Sequence, residues 1–248
     1  MNTLYENSWL YDLIHEKSPD SREVNFYERA IERYGSPVLE LACGSGNYLV
    51  TLSHSDVEIS GLDISDDMLQ AAERRAERQN IETKLTNADM RDFELNQKFA
   101  LIFIAGNSLQ HLNTYEDVAA CFASVRRHLK PDGKFIVEIF NPSISLLNRS
   151  PDERYFRGEY ETENGLVTIS ENVRYDAATQ INHLQWHYKN QTMPEEQTVS
   201  FTMRQFFPKE FDFLFQLNGF RIDYKYGNFD ESDFTNDSQK QIVVASLA

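Results

Sequence analysis

The sequence predicts an α/β fold in which a mostly parallel sheet carries helices on both faces. Over residues 37–140, short apolar runs alternate with amphipathic helical segments, as in parallel strands joined by crossover helices. Residues 155–206 alternate with a period of two instead, which predicts a small antiparallel insertion after the fifth strand. From Pro208 onward the pattern returns to one helix and two strands, which would complete a seven-stranded sheet.

The individual elements follow from apolar runs and from residues that begin or end them. Five core strands are expected at 37–41, 57–63, 84–89, 99–105 and 134–140, the last of them after a Pro131-Asp132-Gly133 turn. Helices are expected at 21–34, 66–79 and 114–129, with Ser65 and Thr114 as N-caps of the last two. Asn164-Gly165 suits a tight hairpin turn, and strands at 220–226 and 241–245 form the closing antiparallel pair.

These elements divide the chain into three expected parts. Residues 1–145 form the main part of the sheet, 146–206 form the antiparallel insertion, and 207–248 supply the final helix and strands. The insertion is expected to line a pocket for a substrate or to provide a dimer surface through its edge strands.

Charge and cysteine content restrict the class of function. The 24 Lys and Arg residues against 39 Asp and Glu residues give a net charge of −15, which would repel a nucleic-acid backbone. The two cysteines, Cys43 and Cys121, offer no disulfide framework, and no stretch has signal-peptide or membrane-span character. We therefore expect a cytoplasmic protein with no nucleic-acid or membrane partner.

Acidic residues and glycines meet at one edge of the predicted sheet. Glu40 precedes Gly44-x-Gly46, Asp63 ends the second strand, and Asp89 ends the third. Ligands of open α/β sheets bind at the carboxyl ends of the strands, where an Asp accepts both hydroxyls of a ribose. The pattern predicts a nucleoside ligand.

The turn argues against a dinucleotide. The dinucleotide fingerprint has Gly or Ala three positions after its second glycine, where this chain has Leu49, and Glu40 would repel a pyrophosphate. A sulfonium that carries an amino group would be favoured by the same carboxylate.

Residues 39–47, Leu-Glu-Leu-Ala-Cys-Gly-Ser-Gly-Asn, resemble the first motif of class I S-adenosylmethionine-dependent methyltransferases, a Rossmann-like family. Ala42 and Asn47 stand where that motif often has glycine. Residues 61–69, 87–90 and 129–134 resemble the family's ribose-binding, adenine-contacting and pre-strand segments, and the placement of the insertion is similar to that of amino-sugar N-methyltransferases.

The resemblance implies S-adenosyl-L-methionine as cofactor and a small molecule as methyl acceptor. Gly44 and Gly46 would lie under the methionine part, Asp63 would bind the ribose, Asp89 and Met90 would bracket the adenine, and Asn107 would face the methionine carboxylate or the methyl group. The full set of implied cofactor-binding residues is Tyr5, Glu40, Ala42, Gly44, Gly46, Asp63, Ile64, Met68, Asp89, Met90 and Asn107. Tyr5 and Tyr11 would belong to an N-terminal lid.

His111 and Tyr11 are the candidate catalytic residues. His111 follows the fourth strand and has a pKa suited to a general base, although a structural loop histidine fits the sequence equally well. His183 and His187 are expected on a solvated strand face rather than at a metal, so no metal site is predicted. Two alternatives to an amine or other small-molecule methyltransferase stay open: a non-catalytic S-adenosylmethionine-binding protein and a nicotinamide oxidoreductase.

Overall fold

The computed structural model describes residues 4–15, 19–53, 57–190 and 195–248. It contains a seven-stranded sheet in the order β10-β11-β5-β4-β1-β2-β3 and a separate four-stranded sheet, β6-β7-β8-β9. The strands of the first sheet are β1 Val38–Leu41, β2 Ile59–Asp63, β3 Lys84–Asn87, β4 Phe99–Ile104, β5 Leu129–Phe140, β10 Phe220–Tyr226 and β11 Lys240–Leu247. The strands of the second sheet are β6 Tyr155–Thr162, β7 Gly165–Asp176, β8 Ile181–Lys189 and β9 Gln197–Arg204.

Helices connect the strands. They are α1 Ser8–His15, α2 Ser21–Tyr34, α3 Asn47–Leu52, α4 Asp66–Arg78, α5 Tyr115–His128, α6 Ile144–Leu147 and α7 Pro208–Leu217. The Ser65 hydroxyl accepts from the Met68 amide at the start of α4, and Thr114 does the same for Asp117 at the start of α5. No helix in the described ranges is long and apolar enough to cross a membrane.

The pairing within the large sheet matches the predicted fold class. β1 pairs in parallel with β2 and β4, β2 with β3, and β4 with β5, whereas β11 runs antiparallel to both β5 and β10. Parallel strands joined through helices and closed by an antiparallel pair, with an antiparallel insertion after β5, confirm the sequence-based expectation.

Alternate residues of the central strands β4 and β5 belong to two apolar clusters on opposite faces of the large sheet. Ile102 and Ile104 of β4 pack with α5 and α7, and Leu101 and Phe103 pack with α2 and α3. Because the central strands are covered on both sides, they read as continuous apolar runs in the sequence.

Two element boundaries differ from the prediction. β5 begins at Leu129, so the expected Pro131-Asp132-Gly133 turn lies inside the strand, at an irregularity where the pairing with β4 moves from Phe99–Leu129 to Leu101–Lys134. β3 ends at Asn87, which places Asp89 beyond the strand, in an isolated bridge with Asp92. In both places the sequence indicates the local turn residues, but it does not indicate how far the strand pairing extends.

A third apolar cluster joins the N-terminal segment to the insertion. Leu4 and Leu10 of the N-terminal segment, residues 4–15, pack against Ile169, Trp186 and other residues of the insertion. The segment and the insertion sheet therefore form one cover, which meets the large sheet at the carboxyl edge of its strands.

Candidate active site

The turn after β1 brings the backbone close to the space above the strand ends. Ala42, Gly44 and Gly46 all have left-handed backbone angles, with φ of 53°, 55° and 78°. A Cβ on Gly46 would lie 3.0 Å from that of Ala72, because the turn packs directly on α4. Glycine is needed at Gly46 for both reasons, while Ala42 tolerates a conformation that costs a non-glycine residue about 1–2 kcal/mol.

Glu40 lies below this turn as a buried acid. The residue is only 2% exposed, and its Oε2 is without a hydrogen-bond partner among the described residues. Burial raises the pKa of Glu40 well above its usual range, and the nearby Asp63 carboxylate adds to the effect. Burial therefore favours the neutral form of Glu40 and leaves its Oε2 available to a donor.

Asp63 ties the ends of β1 and β2 together. One carboxylate oxygen accepts from the Gly44 amide at 2.8 Å, and the other accepts from the Ser65 amide at 2.9 Å. A carboxylate has room for about four hydrogen bonds, so each oxygen can still accept a hydroxyl. The arrangement suits the predicted ribose contact.

Asp89 is engaged by a neighbour that the sequence reasoning did not consider. Arg91 approaches its carboxylate to 2.6 Å and also lies 2.7 Å from Asp117. Hydrogen bonds from Arg91 lower the pKa of Asp89. Met90 is half-buried beside it, and the contact of this pair with adenine stays a prediction.

Two further predicted cofactor residues differ sharply in exposure. Ile64, directly after β2, is 64% exposed, whereas Met68 is buried within α4. Ile64 therefore presents an exposed apolar side chain next to Asp63, whereas the Met68 side chain is buried.

The loop after β4 supplies a second unpartnered oxygen. Asn107 is 8% exposed, adopts φ of 67°, and has no hydrogen-bond partner for its Oδ1 among the described residues. The preceding Gly106 amide donates to Glu138 at 2.8 Å, and Glu138 is fully buried and paired with Lys240. Glu138 therefore holds the loop that carries Asn107 directly after β4.

The N-terminal segment is attached to the glycine turn by polar contacts. Asp12 accepts from the Ser45 hydroxyl at 2.5 Å and pairs with Arg75 at 3.1 Å. The Tyr11 ring and hydroxyl would both lie 4.0 Å from a Cβ on Gly44, so Tyr11 covers the turn directly. Burial and the nearby carboxyl groups of Glu40 and Asp63 raise the pKa of Tyr11.

A second set of contacts attaches the same segment to the start of α4. The Ser65 hydroxyl donates to the Tyr5 backbone oxygen at 2.6 Å, and the Ser8 amide donates to Asp67 at 2.7 Å. These contacts hold the segment with Tyr5 and Tyr11 against the ends of β1 and β2, and its role as a lid stays a prediction.

His111 lies where three parts of the chain meet. Its Nε2 is 2.5 Å from the Tyr5 hydroxyl, and its Nδ1 is 2.9 Å from the Thr202 backbone oxygen of β9. Burial lowers the pKa of His111, with the Thr202 contact opposing the shift. The loop after β4, the N-terminal segment and the insertion are thereby joined through one imidazole.

The insertion contributes aromatic and charged side chains to the cover. The ring centroids of Trp186 and Phe201 are 4.9 Å apart, and Phe201 lies 6.4 Å from Tyr5. Glu171, 5% exposed, accepts from the Trp186 indole at 3.1 Å and pairs with Arg157 at 2.7 Å.

The prediction of a solvated face for His183 and His187 is wrong for His187. That residue is 8% exposed, and its Nε2 is 2.8 Å from the Asn172 side-chain oxygen. Neighbouring polar side chains from β7 and β9 cover it, which strand alternation alone does not reveal. Within the described ranges, no group of three or more His, Cys, Asp or Glu residues is arranged to hold a metal ion.

Comparison with known proteins agrees with this geometry. Residues 38–133 match the family model of the methyltransferase domain. Over these residues the chain is similar to a methyltransferase domain. The matched residues include the glycine turn, Asp63, Asp89 and the loop with Asn107 and His111.

Relatives and solved structures extend the comparison. A dTDP-3-amino-3,6-dideoxy-α-D-glucopyranose N,N-dimethyltransferase of Streptomyces fradiae is 35% identical over 134 residues, which are 52% of this chain and 51% of that relative. This chain spans about half the length of the curated relatives it matches first.

Two solved structures match nearly the whole fold. The CcbJ methyltransferase of Streptomyces caelestis superposes with a TM-score of 0.82 at 21% identity, covering 99% of this chain and 98% of the other. An S-adenosylmethionine-dependent methyltransferase of Clostridium acetobutylicum superposes with a TM-score of 0.80 at 18% identity, covering 97% of each chain. These likenesses show that the fold includes the insertion and the closing strands.

The predictions from sequence missed several residues around the candidate site. Three of them, Asp12, Arg75 and Glu138, contact partners that are distant in sequence. The fourth, Arg91, contacts Asp89 only two positions away. Glu138 alone left a signal, because it interrupts the apolar run Phe135-Ile136-Val137-Glu138-Ile139 of a buried strand.

Proposed function

We propose that this protein transfers a methyl group from S-adenosylmethionine to an amine nitrogen of a small molecule. The observation that carries the proposal is the pair of buried, unpartnered oxygens, Glu40 Oε2 and Asn107 Oδ1, at the strand ends next to the glycine turn. Buried acceptors without a donor are costly, so such a pair suits a ligand that brings N–H groups.

The residues at the turn fit this cofactor and not a dinucleotide. The amino group of its methionine part offers three N–H donors for Glu40 and Asn107, and its sulfonium tolerates nearby carboxyl groups. Asp63, held between Gly44 and Ser65, would accept the ribose hydroxyls. A pyrophosphate would instead face Glu40 and Asp63.

The proposed reaction depends mainly on aligning the methyl donor with the amine and on excluding water. When bound, S-adenosylmethionine supplies an electrophilic methyl group on sulfur, and the leaving thioether needs no acid. Tyr5, Tyr11 and the insertion would close over the reacting atoms, and holding the amine in line can supply roughly 7–11 kcal/mol of the barrier reduction. Glu40, Asn107 and Asp63 would fix the donor side of that alignment.

The proposed acceptor is an amine carried by a sugar or a similarly small polar molecule. The named Streptomyces fradiae relative is an amino-sugar N,N-dimethyltransferase, which supports an amine acceptor. The contact between Tyr5 and His111 joins the N-terminal segment to the loop after β4, and we propose that the acceptor binds near it. The aromatic side chains of Trp186 and Phe201 would form one wall of its pocket, and the edge strand β6 stays our candidate for pairing two copies.

Incubation with S-adenosylmethionine labelled in its methyl group tests the proposal. Amino sugars, glycine-like amines and the corresponding alcohols would be compared, with mass detection of both the methylated product and S-adenosylhomocysteine. We expect label in one or more amines and in none of the alcohols. Tight cofactor binding without transfer to any acceptor would favour a non-catalytic binding protein, and transfer to alcohols alone would refute the amine.

A further inference from the structure

A cavity lies at the end of the large sheet opposite the candidate active site. It has a volume of about 450 Å³, and its lining from α2, β5 and β10 includes Arg33, Tyr34, Lys134, Arg221, Asp223 and Tyr224. Lys134 pairs with Leu101, which also pairs with Val38, the first residue of β1, so the cavity lies near the amino ends of the strands. Asp63 and Asn107 lie at the carboxyl ends. A ligand in the cavity would leave the glycine turn free.

The charge of this cavity is opposite in sign to that of the whole chain. Arg33, Lys134 and Arg221 contribute three positive charges and Asp223 contributes one negative charge, so the lining carries +2 in a chain of −15. Asp223 lies 2.5 Å from Lys134 and 3.2 Å from Arg221. One carboxylate therefore holds two cations side by side and cannot neutralise both.

The nearest acidic group beyond the lining does not remove this excess. Glu231 lies 3.2 Å from Arg33, but its other carboxylate oxygen lies 2.9 Å from Arg29, which adds a further positive charge. The cations of the cavity therefore suit an anionic ligand.

The outermost strand of the sheet is irregular at this cavity. Between Ile222 and Tyr224 the pairing of β10 advances by one residue of β11 instead of two, which leaves Asp223 as an extra residue, a β-bulge. A regular strand turns successive side chains to opposite faces, whereas residues 221–224 all line this one cavity. The bulge thus gathers charged and aromatic residues at one place, as bulges beside binding sites do.

Tyrosine rings supply flat surfaces beside the cations. Tyr224 is 51% exposed and stacks on Tyr226, with ring centroids 5.7 Å apart and an interplanar angle of 8°. A half-exposed ring that is stacked on one face can receive a planar group on the other. The Lys134 ammonium lies 5.9 Å from the centroid of Tyr34, so charge and ring adjoin within the cavity.

We propose that this cavity binds a small aromatic phosphate ester, the class to which nucleoside monophosphates belong. A phosphate monoester carries about −1.5 to −2 charges at pH 7, which matches the +2 of the lining, whereas a carboxylate would balance only half of it. Arg33, Lys134 and Arg221 would donate to its oxygens through N–H groups that do not face Asp223 or Glu231. The planar ring of the ligand would stack on Tyr224.

Calorimetric titration tests this site with uridine and adenosine monophosphates, uridine and inorganic phosphate as probes. We expect both monophosphates to bind, and to bind more tightly than uridine or inorganic phosphate. Arg221→Gln should weaken both monophosphates about 10-fold or more, the effect of losing one charge-assisted hydrogen bond. Tyr224→Leu should weaken the monophosphates but not inorganic phosphate. Arg78→Gln changes an exposed arginine of α4 and is the matched control, with no effect expected.

Repeating the titration with saturating S-adenosylhomocysteine separates this cavity from the candidate active site. The affinity for uridine monophosphate should not change, because the two sites lie at opposite ends of the strands. Displacement by S-adenosylhomocysteine, unchanged affinity in Arg221→Gln, or no binding of either monophosphate would overturn the proposal, and equally tight binding of inorganic phosphate would refute the aromatic ligand. Failure to methylate any amine would contradict the proposed function alone, since these titrations need no acceptor.

Discussion

The large sheet and its cover are stabilised by different kinds of interaction. Strands β1, β4 and β5 are buried on both faces by apolar side chains from the helices α2, α3, α5 and α7, and local pattern suffices to specify them. The N-terminal segment instead depends on a few polar contacts, such as Asp12 with Ser45 and Arg75, together with a small apolar cluster. A rigid sheet edge and a more weakly attached cover would suit the proposed methyl transfer, because substrates must enter and products must leave.

The largest expected effect is a loss of stability in the large sheet, from a substitution at Gly46. Gly46→Ala forces alanine into a left-handed conformation and brings its Cβ to 3.0 Å from that of Ala72, so we expect a loss of about 2–4 kcal/mol in the free energy of unfolding. Gly106→Ala is the matched control, because Gly106 is also left-handed but has no heavy atom within 4 Å of its Cβ position.

Denaturant unfolding of the two variants measures the difference. In Gly106→Ala the free energy of unfolding should fall by only about 1–2 kcal/mol, the cost of the left-handed backbone conformation. Equal losses in the two variants would mean that the packing of the turn on α4 contributes nothing.

The next effect concerns the charge of Glu40. Burial holds its pKa high in the free protein, and the ammonium group of the cofactor would lower it, so binding near neutral pH should release a proton. Affinity should then rise with pH until the free protein itself ionises at Glu40, and level off above that point. Calorimetry in buffers of different ionisation enthalpy counts the released proton.

Glu40→Gln should abolish that proton release and weaken S-adenosylmethionine binding roughly 10- to 100-fold, the value of one charge-assisted hydrogen bond. Glu58→Gln, just before β2 at the opposite edge of the sheet, makes the same chemical change and should alter neither quantity. Unchanged proton release in Glu40→Gln would assign the proton to another group.

The smallest effect is expected in the cover. Asp12→Asn weakens the contacts to Ser45 and Arg75, and we expect it to destabilise docking of residues 4–15 by about 1 kcal/mol while global unfolding stays unchanged. Hydrogen exchange of the α1 amides checks this. Arg22→Gln breaks an exposed ion pair outside the segment and should leave α1 exchange as it is; a global loss in Asp12→Asn would show that the cover and the sheet unfold as one unit.

The same contrast explains what the sequence could predict. Apolar runs and caps identified the helices and strands of the sheet, and the positions of Glu40, Asp63 and Asn107 followed because strand ends share one edge. The roles of these residues stay predictions until a ligand is measured.

What was missed depends on contacts between distant parts of the chain. Glu138 with Gly106, and Asp12 with Arg75, join segments whose approach no local pattern encodes. The burial of His187 likewise comes from β7 and β9, and the partnership of Tyr5 with His111 spans 106 positions. Periodicity reports which face a residue is on, but not which polar group will meet it there.

Calorimetric titration with S-adenosylmethionine, S-adenosylhomocysteine and NADH, on the wild-type protein and on Asp63→Asn, tests the central claim most directly. We predict that the first two ligands bind, that NADH does not, and that Asp63→Asn weakens both roughly 10- to 100-fold through the lost charge-assisted hydrogen bonds to the ribose. Binding of NADH, binding of none of the three, or unchanged affinity in Asp63→Asn would contradict a site built for S-adenosylmethionine around Glu40, Asp63 and the glycine turn.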